Sequence, residues 1–121
     1  MLRVYGILHI SRNDIRDGLY KSYYENGQQE DEVPYSNGKV NGLRQSWYES
    51  GQLSFTGQYI NDVREGAFYW YYENGQTDTL IEYTNGKFNG YYKHWTEAGF
   101  LWTCGIYSNG VLVEDCIATE R

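Results

Sequence analysis

Two cysteines, Cys104 and Cys116, are all that 121 residues contain. That is too few for a disulfide scaffold, and their spacing is not that of a metal site. Long hydrophobic runs are missing too. The most apolar stretch near the start, Gly6-Ile7-Leu8-His9-Ile10, is too short for a secretory core, and no window approaches a membrane span. Positive charge is scarce: 10 Lys and Arg stand against 16 Asp and Glu, and the formal net charge of -6 opposes attraction to phosphate backbones or anionic lipid. The expectation is a soluble cytoplasmic protein that favours neither nucleic acid nor membrane. Its length fits one domain over residues 1–121, without room for a second core.

Aromatic residues, by contrast, make up 18% of the chain, with 14 Tyr, and 14 Gly accompany them. Tyrosine has an apolar ring and a polar tip, which suits half-wet surfaces better than dry interiors. Hydrophobic residues reach 40% but are broken up by Asn, Gly and Gln. Such interruption predicts many short strands joined by tight turns.

The hexapeptide YYENGQ occurs at Tyr23–Gln28 and again at Tyr71–Gln76, 48 positions later. Related copies, WYESGQ from Trp47 and WTEAGF from Trp95, halve that distance to a register of 24. Glycine opens each unit at Gly18, Gly42, Gly66 and Gly90, and tyrosine closes each at Tyr35, Tyr59, Tyr83 and Tyr107. A second turn follows at Asn37-Gly38, Asn61-Asp62, Asn85-Gly86 and Asn109-Gly110, with Asn13-Asp14 in the same phase upstream. Full units cover about 18–41, 42–65, 66–89 and 90–113, with partial caps at either end.

Each unit reads as a β-hairpin. Asn-Gly in Glu25-Asn26-Gly27-Gln28 predicts a type I′ turn, and the second connection predicts a wider loop at the opposite edge. The fold class is all-β: a single-layer antiparallel hairpin meander or solenoid of four 24-residue repeats with capping strands, the candidates being Arg3 to Ile10 and Val111 to Ala118. Alternation places Tyr23, Trp47, Tyr71 and Trp95 on one side with Leu19, Leu43, Ala67 and Tyr91. Tyr20, Phe68, Tyr92, Tyr24, Tyr48 and Tyr72 fall on the other. The opening glycines are expected to let neighbouring rings lie flat on the backbone.

The run GLYKSYYENGQ followed by YSNGKVNG resembles the MORN (membrane occupation and recognition nexus) repeat, more narrowly the variant of bacterial YwqK-type antitoxin components. The likeness extends from about Arg12 to Gly110. It implies a β-hairpin solenoid used as an interaction scaffold, without catalysis by the repeats and with lipid binding in some members. Asp62 departs from the glycine of the other units, as do Ala98 and Phe100 from Asn and Gln.

Candidate chemistry is confined to surfaces. Glu25, Glu49, Glu73 and Glu97 recur at one hairpin corner and predict an acidic edge, read either as solvation of the turns or as a docking rail. Arg16, Lys39, Arg64 and Lys87 predict a basic edge opposite, and Glu30-Asp31-Glu32 reads as a solvated acidic cluster. Nothing places two carboxylates in a closed apolar pocket, and His9 and His94 lack Cys or Ser partners at motif spacing, so no catalytic residue, metal ligand or cofactor is expected. Cys104 and Cys116 flank the Asn109-Gly110 turn, where a cross-strand disulfide is geometrically allowed. Two reduced, packed thiols are the expectation for a cytoplasmic protein.

The candidate docking face comprises Tyr23, Trp47, Trp70, Tyr71, Tyr91, Trp95 and Trp102, aided by the acidic edge. Packing between repeats is the competing role for the same rings. The functional expectation is a non-enzymatic protein-binding module of antitoxin, immunity or inhibitor type, whose partner is a toxin or other effector with a basic surface. The alternatives are a self-associating structural scaffold, a binder of phospholipid headgroups and an acidic mimic of nucleic acid.

Overall fold

Asn37 and Gly38 both take positive φ, 52° and 80°, and so do Asn61 and Asp62, Asn85 and Gly86, and Asn109 and Gly110. Two consecutive left-handed residues are the requirement of a type I′ hairpin, whose twist matches that of the strands it joins. These are therefore tight two-residue turns, not the wider loops expected from sequence. At the other edge Asn26 is absent from the positive-φ residues, while Gly27, Gly51, Gly75 and Gly99 lie at 90°, 94°, 90° and 95°. The Tyr24 carbonyl accepts from Gly27 N–H at 3.0 Å, and Tyr24 N–H donates to the Gln28 carbonyl at 2.8 Å. That arrangement is a wider turn closed by one left-handed glycine. The two turn types are thus exchanged relative to the sequence reading, because Asn-Gly satisfies both and only pairing register distinguishes them.

The computed structural model describes residues 4–5, 9–10 and 15–116. In chain order the strands are β1 (Val4–Tyr5), β2 (His9–Ile10), β3 (Arg16–Tyr23), β4 (Gln29–Ser36), β5 (Lys39–Val40), β6 (Gly42–Trp47), β7 (Leu53–Ile60), β8 (Val63–Tyr71), β9 (Thr77–Thr84), β10 (Lys87–Trp95), β11 (Leu101–Ser108) and β12 (Val111–Asp115). All pairings are antiparallel, and from β3 onward each long strand pairs with the next. β1 and β2 both lie along β3, so the expected N-terminal cap is present at those positions. The Asn13-Asp14 turn and the residues after Cys116 in the expected C-terminal strand fall outside the described residues.

Two bulges recur in the repeat. Pairing steps from Ser22↔Asp31 to Tyr23↔Gln29, which leaves Glu30 as an extra residue, and Ser54, Asp78 and Trp102 occupy the same place in later units. A bulge locally increases twist and re-aims its neighbours. The second bulge contains an opening glycine. Between Thr56↔Tyr69 and Gln58↔Glu65, β8 has three residues against one of β7. Gly66 sits inside it at φ 89°, with Gly18, Gly42 and Gly90 at 101°, 129° and 112° in the other units. A Cβ on Gly66 would meet nothing within 4 Å, so backbone conformation alone selects that glycine, whereas a Cβ on Gly42 would crowd Pro34 and one on Gly90 would crowd Glu82; no aromatic ring lies against any of these three.

Ring packing falls instead on Gly57, where an added Cβ would collide with the Phe68 ring. Phe68 is 0% exposed and forms the buried core with Ile81 and Tyr83, flanked by Phe55, Tyr59, Trp70, Phe88 and Tyr92. The ring centroids of Tyr59 and Tyr83 lie 5.3 and 5.0 Å from that of Phe68, edge-on. Each such pair adds about 0.5–1.5 kcal/mol beyond area burial. One layer thus builds a core by laying rings sideways over one another on a single side of the sheet.

Tyrosine hydroxyls link successive units. Tyr24 donates to the Trp47 carbonyl at 2.7 Å, Tyr48 to that of Tyr71, and Tyr72 to that of Trp95 at 2.6 Å. These three rings are staples between hairpins and not part of an open aromatic face. Each satisfies a polar tip that would otherwise compete for water.

Candidate interaction surfaces

Alternation along the strands fixes what shares a side with Phe68. Arg16, Val33, Tyr35, Phe55, Tyr59, Arg64, Trp70, Tyr83, Phe88, Tyr92, His94 and Tyr107 belong to this core side through the registers of β3 to β11. Tyr23, Trp47, Tyr71, Tyr91 and Trp95 project from the opposite side, as grouped from sequence. Trp70 does not join them. Its ring packs 5.3 Å from Phe55 and 6.2 Å from Phe68, so it belongs to the core and leaves the candidate docking set.

On the opposite side Tyr69 and Tyr71 stack at 6.1 Å, and Lys93 Nζ lies 4.3 Å above the Tyr91 ring. Burial raises the Tyr71 phenol above its ordinary value, with the neighbouring Tyr69 adding to the effect. Tyr23, Trp47, Tyr71 and Trp95 are half-buried, whereas Tyr91, Leu19 and Leu43 are exposed. Trp102 is 63% exposed and is the extra residue of a bulge between β10 and β11. The equivalent residues Glu30, Ser54 and Asp78 are polar and half-buried, so the repeat column does not account for an exposed tryptophan there.

The glutamate edge is well braced. Glu25, Glu49, Glu73 and Glu97 are all exposed. Asn26 Nδ2 donates to the Glu49 carbonyl at 3.0 Å and Asn74 Nδ2 to that of Glu97 at 2.9 Å, tying neighbouring turns together. The carboxylates are therefore mounted at fixed intervals on cross-linked backbone.

The expected basic edge is only half formed. Lys39 and Lys87 are exposed at the type I′ turns. Arg16 and Arg64 instead fold onto the core side, their guanidinium carbons 5.3 Å over Tyr35 and 5.2 Å over Tyr83. Each also donates to the hydroxyl of the ring it covers, at 3.0 and 2.7 Å. The two arginines are 48 positions apart, which is the spacing of the duplicated hexapeptide. Alternate units are thus closer copies of one another than adjacent ones.

The acidic cluster is not simply solvated. Asp31 accepts from Arg44 at 3.2 Å and from Ser46 at 2.8 Å, and Lys21 lies 3.9 Å from Glu32. These contacts cross strands and hold β3, β4 and β6 in register.

One polar group escaped the sequence reading. His94 Nδ1 lies 2.9 Å from Asp78 Oδ1, and the Thr79 hydroxyl donates to the same Asp78 oxygen at 2.7 Å while sitting 3.3 Å from His94 Nδ1. A nucleophile relay needs the carboxylate on one ring nitrogen and the hydroxyl on the other. Both contacts here meet the same nitrogen, so the cluster braces the Asp78 bulge and cannot pass a proton through the ring. Among the described residues no group of three His, Cys, Asp or Glu is arranged to hold a metal.

Cys104 and Cys116 form a disulfide across β11 and the end of β12, with Cα atoms 5.1 Å apart. The expectation of two free thiols is corrected. The Asn109-Gly110 turn brings the residues opposite one another, and Cys116 N–H also donates to the Cys104 carbonyl at 3.2 Å. Both cysteines are buried.

Comparison with known families finds the MORN repeat variant matched three times, over residues 16–37, 40–61 and 64–85. Those spans share the register of 24 read from the sequence. No curated protein matches the chain.

Proposed function

Because the chain belongs to the MORN repeat variant family, we propose that it is a non-catalytic protein-binding module of antitoxin, immunity or inhibitor type. It covers a basic partner protein with the aromatic side and the glutamate edge. Repeats of this family are often protein or membrane interaction modules, and the family is not a known enzyme family. One observation carries the finer reading: Glu25, Glu49, Glu73 and Glu97 stand exposed on braced turns, beside half-exposed Tyr23, Trp47, Tyr71 and Trp95. Each conserves its place through every unit, so a partner would meet a repeating pair of carboxylate and ring. Regular charge steers encounter, and aromatic rings supply area at low entropy cost.

The test is affinity capture from the native host at low and high salt, repeated with two variants. In one, the four glutamates are changed to Gln; in the other, Trp47 and Trp95 are changed to Ala. A partner held by this surface is released by salt and lost from both variants, while thermal melts show them folded. A salt-resistant oligomer of the chain alone replaces this reading with a self-associating scaffold.

A further inference from the structure

From β6 to β10 the side of the sheet opposite Phe68 carries one row of side chains beside the glutamate turns. Trp47 pairs with Leu53 across the β6–β7 hairpin and Tyr71 with Thr77 across β8–β9, and Trp95 of β10 comes next. Large and small residues therefore alternate along the row, all five half-buried. Each ring stands two residues before an exposed carboxylate, at Glu49, Glu73 and Glu97. The smaller residues floor slots between the rings. At one of them an open hollow of about 150 Å³ is walled by Gln76, Thr77, Trp95 and Gly99, against the turn that holds Glu97. That is well below the roughly 300–1,000 Å³ of a small-molecule site, and it suits one side chain of a partner.

The pitch of the row selects the backbone that can lie in it. Successive rings are two strands apart, which is about 9.6 Å at the ordinary strand spacing. A polyproline II helix rises about 3.1 Å per residue with three residues per turn, so every third residue returns to the same face after about 9.3 Å. An extended strand covers a similar distance in three residues, but alternation turns its third residue to the opposite face. An α-helix brings a side chain back to one face only after seven residues and about 10.5 Å. It outruns the slots by about 1 Å each, against about 0.3 Å for polyproline II. Sheet twist of about 20–25° per strand fans the slots, so the match holds over two or three of them and calls for a short segment.

Chemistry agrees with pitch. Grooves lined by aromatic rings are where proline-rich segments dock, and the glutamates beside these rings complement positive charge. With one residue of each turn in a slot, one of the other two points to the glutamate edge and the last to solvent.

We propose that this row takes a short, basic, proline-rich segment of a partner protein in the polyproline II conformation, with proline between the rings and arginine or lysine at every third residue against Glu49, Glu73 and Glu97. This rests on the reading that the aromatic side and the glutamate edge bind protein, and it names the element that enters.

The experiment titrates a fluorescent peptide of three Pro-Pro-Arg triplets into the full-length protein, followed by anisotropy, with the indole N–H signals of Trp47 and Trp95 reporting position. Three matched peptides run beside it: the same residues with the arginines grouped together, Ala-Ala-Arg triplets, and Pro-Pro-Glu triplets. The periodic Pro-Pro-Arg peptide binds tightest, shifts both indoles and is released by salt. Changing Glu49, Glu73 and Glu97 to Gln weakens it on the order of tenfold, the sum of three exposed ion pairs. Thr77→Tyr fills a slot at a position where a strand accepts an aromatic residue, and removes the shift at Trp95. The proposal is overturned if the grouped or the alanine peptide binds as tightly, if the indoles do not move, or if no peptide binds at millimolar concentration. Because the four peptides are compared on the unaltered protein, a variant that does not fold leaves the test decisive. A partner captured through this surface that the periodic peptide fails to displace overturns the polyproline element and leaves the protein-binding module standing.

Discussion

The ring of Phe68 occupies the space beside Gly57 where a Cβ would stand, across the β7–β8 bulge. An added Cβ at Gly57 would run into the ring, and Phe68 is wholly buried with no room to retreat. Gly57 is not among the positive-φ glycines, so a substitution there tests crowding without backbone strain. Gly57→Ala is expected to cost about 1–3 kcal/mol as overpacking, read from the denaturant midpoint. Combined with Phe68→Leu, which removes the obstructing ring, the loss is smaller than the sum of the two single changes. Full additivity would mean that the two residues do not press on each other.

Asp62 occupies a place that is glycine in the other units, at φ 71°. Its Oδ1 accepts from Val40 N–H at 2.7 Å. Asp62→Gly removes about 1 kcal/mol of left-handed strain and a hydrogen bond of about equal value, so the melting temperature should barely move. Asp62→Ala keeps the strain and loses the bond, and should cost about 1 kcal/mol. Asp62→Asn retains both features and stays near the parent. Equal melts for Ala and Gly would show that the side-chain bond is the whole effect.

Tyr48 donates its hydroxyl to the Tyr71 carbonyl, and burial, with smaller contributions from Asp78 and Glu73, raises its pKa above 10.0. The folded state therefore holds this proton more tightly than the unfolded chain. That stabilisation is complete below the ordinary value and is lost as pH rises through the folded one. Stability should fall as pH climbs above about 10. Tyr48→Phe costs about 1 kcal/mol at neutral pH and flattens the alkaline decline, as followed by urea titrations at several pH values. An unchanged alkaline slope would remove Tyr48 as its source.

Native protein prepared without reductant should show no free thiol even after denaturation, and two after reduction. The bond closes a loop with a sequence separation of 12, so breaking it is expected to cost about 3 kcal/mol and to speed amide exchange selectively in β12. A reducing cytoplasm does not sustain such a bond. Trapping thiols in intact cells thus reads the compartment: an oxidised pair excludes the cytoplasmic placement expected from composition.

Periodicity made the repeat legible. Glycine and asparagine at intervals of 24 announce turns, and alternation between them assigns sides, because both depend only on local backbone chemistry. The strand order, the four glutamates at one edge and the side shared by Tyr23, Trp47, Tyr71 and Trp95 all follow from that. What spacing could not reveal is the pairing register. Bulges at Glu30, Ser54, Asp78 and Trp102 and at the opening glycines add residues to one strand without leaving a signature in composition. Hence the turn types were exchanged and the glycines misread as seats for rings.

The sequence by itself determined a single antiparallel sheet of hairpins, since hydrogen bonding between neighbours needs only turns and alternating strands. Only the tertiary structure decided that Phe68, Ile81 and Tyr83 are the core, that Arg16 and Arg64 lie on rings, that Trp70 packs on Phe55, and that Cys104 meets Cys116. Each of those contacts joins residues on different strands, and a shift of register by one residue would turn every one of them to the other side.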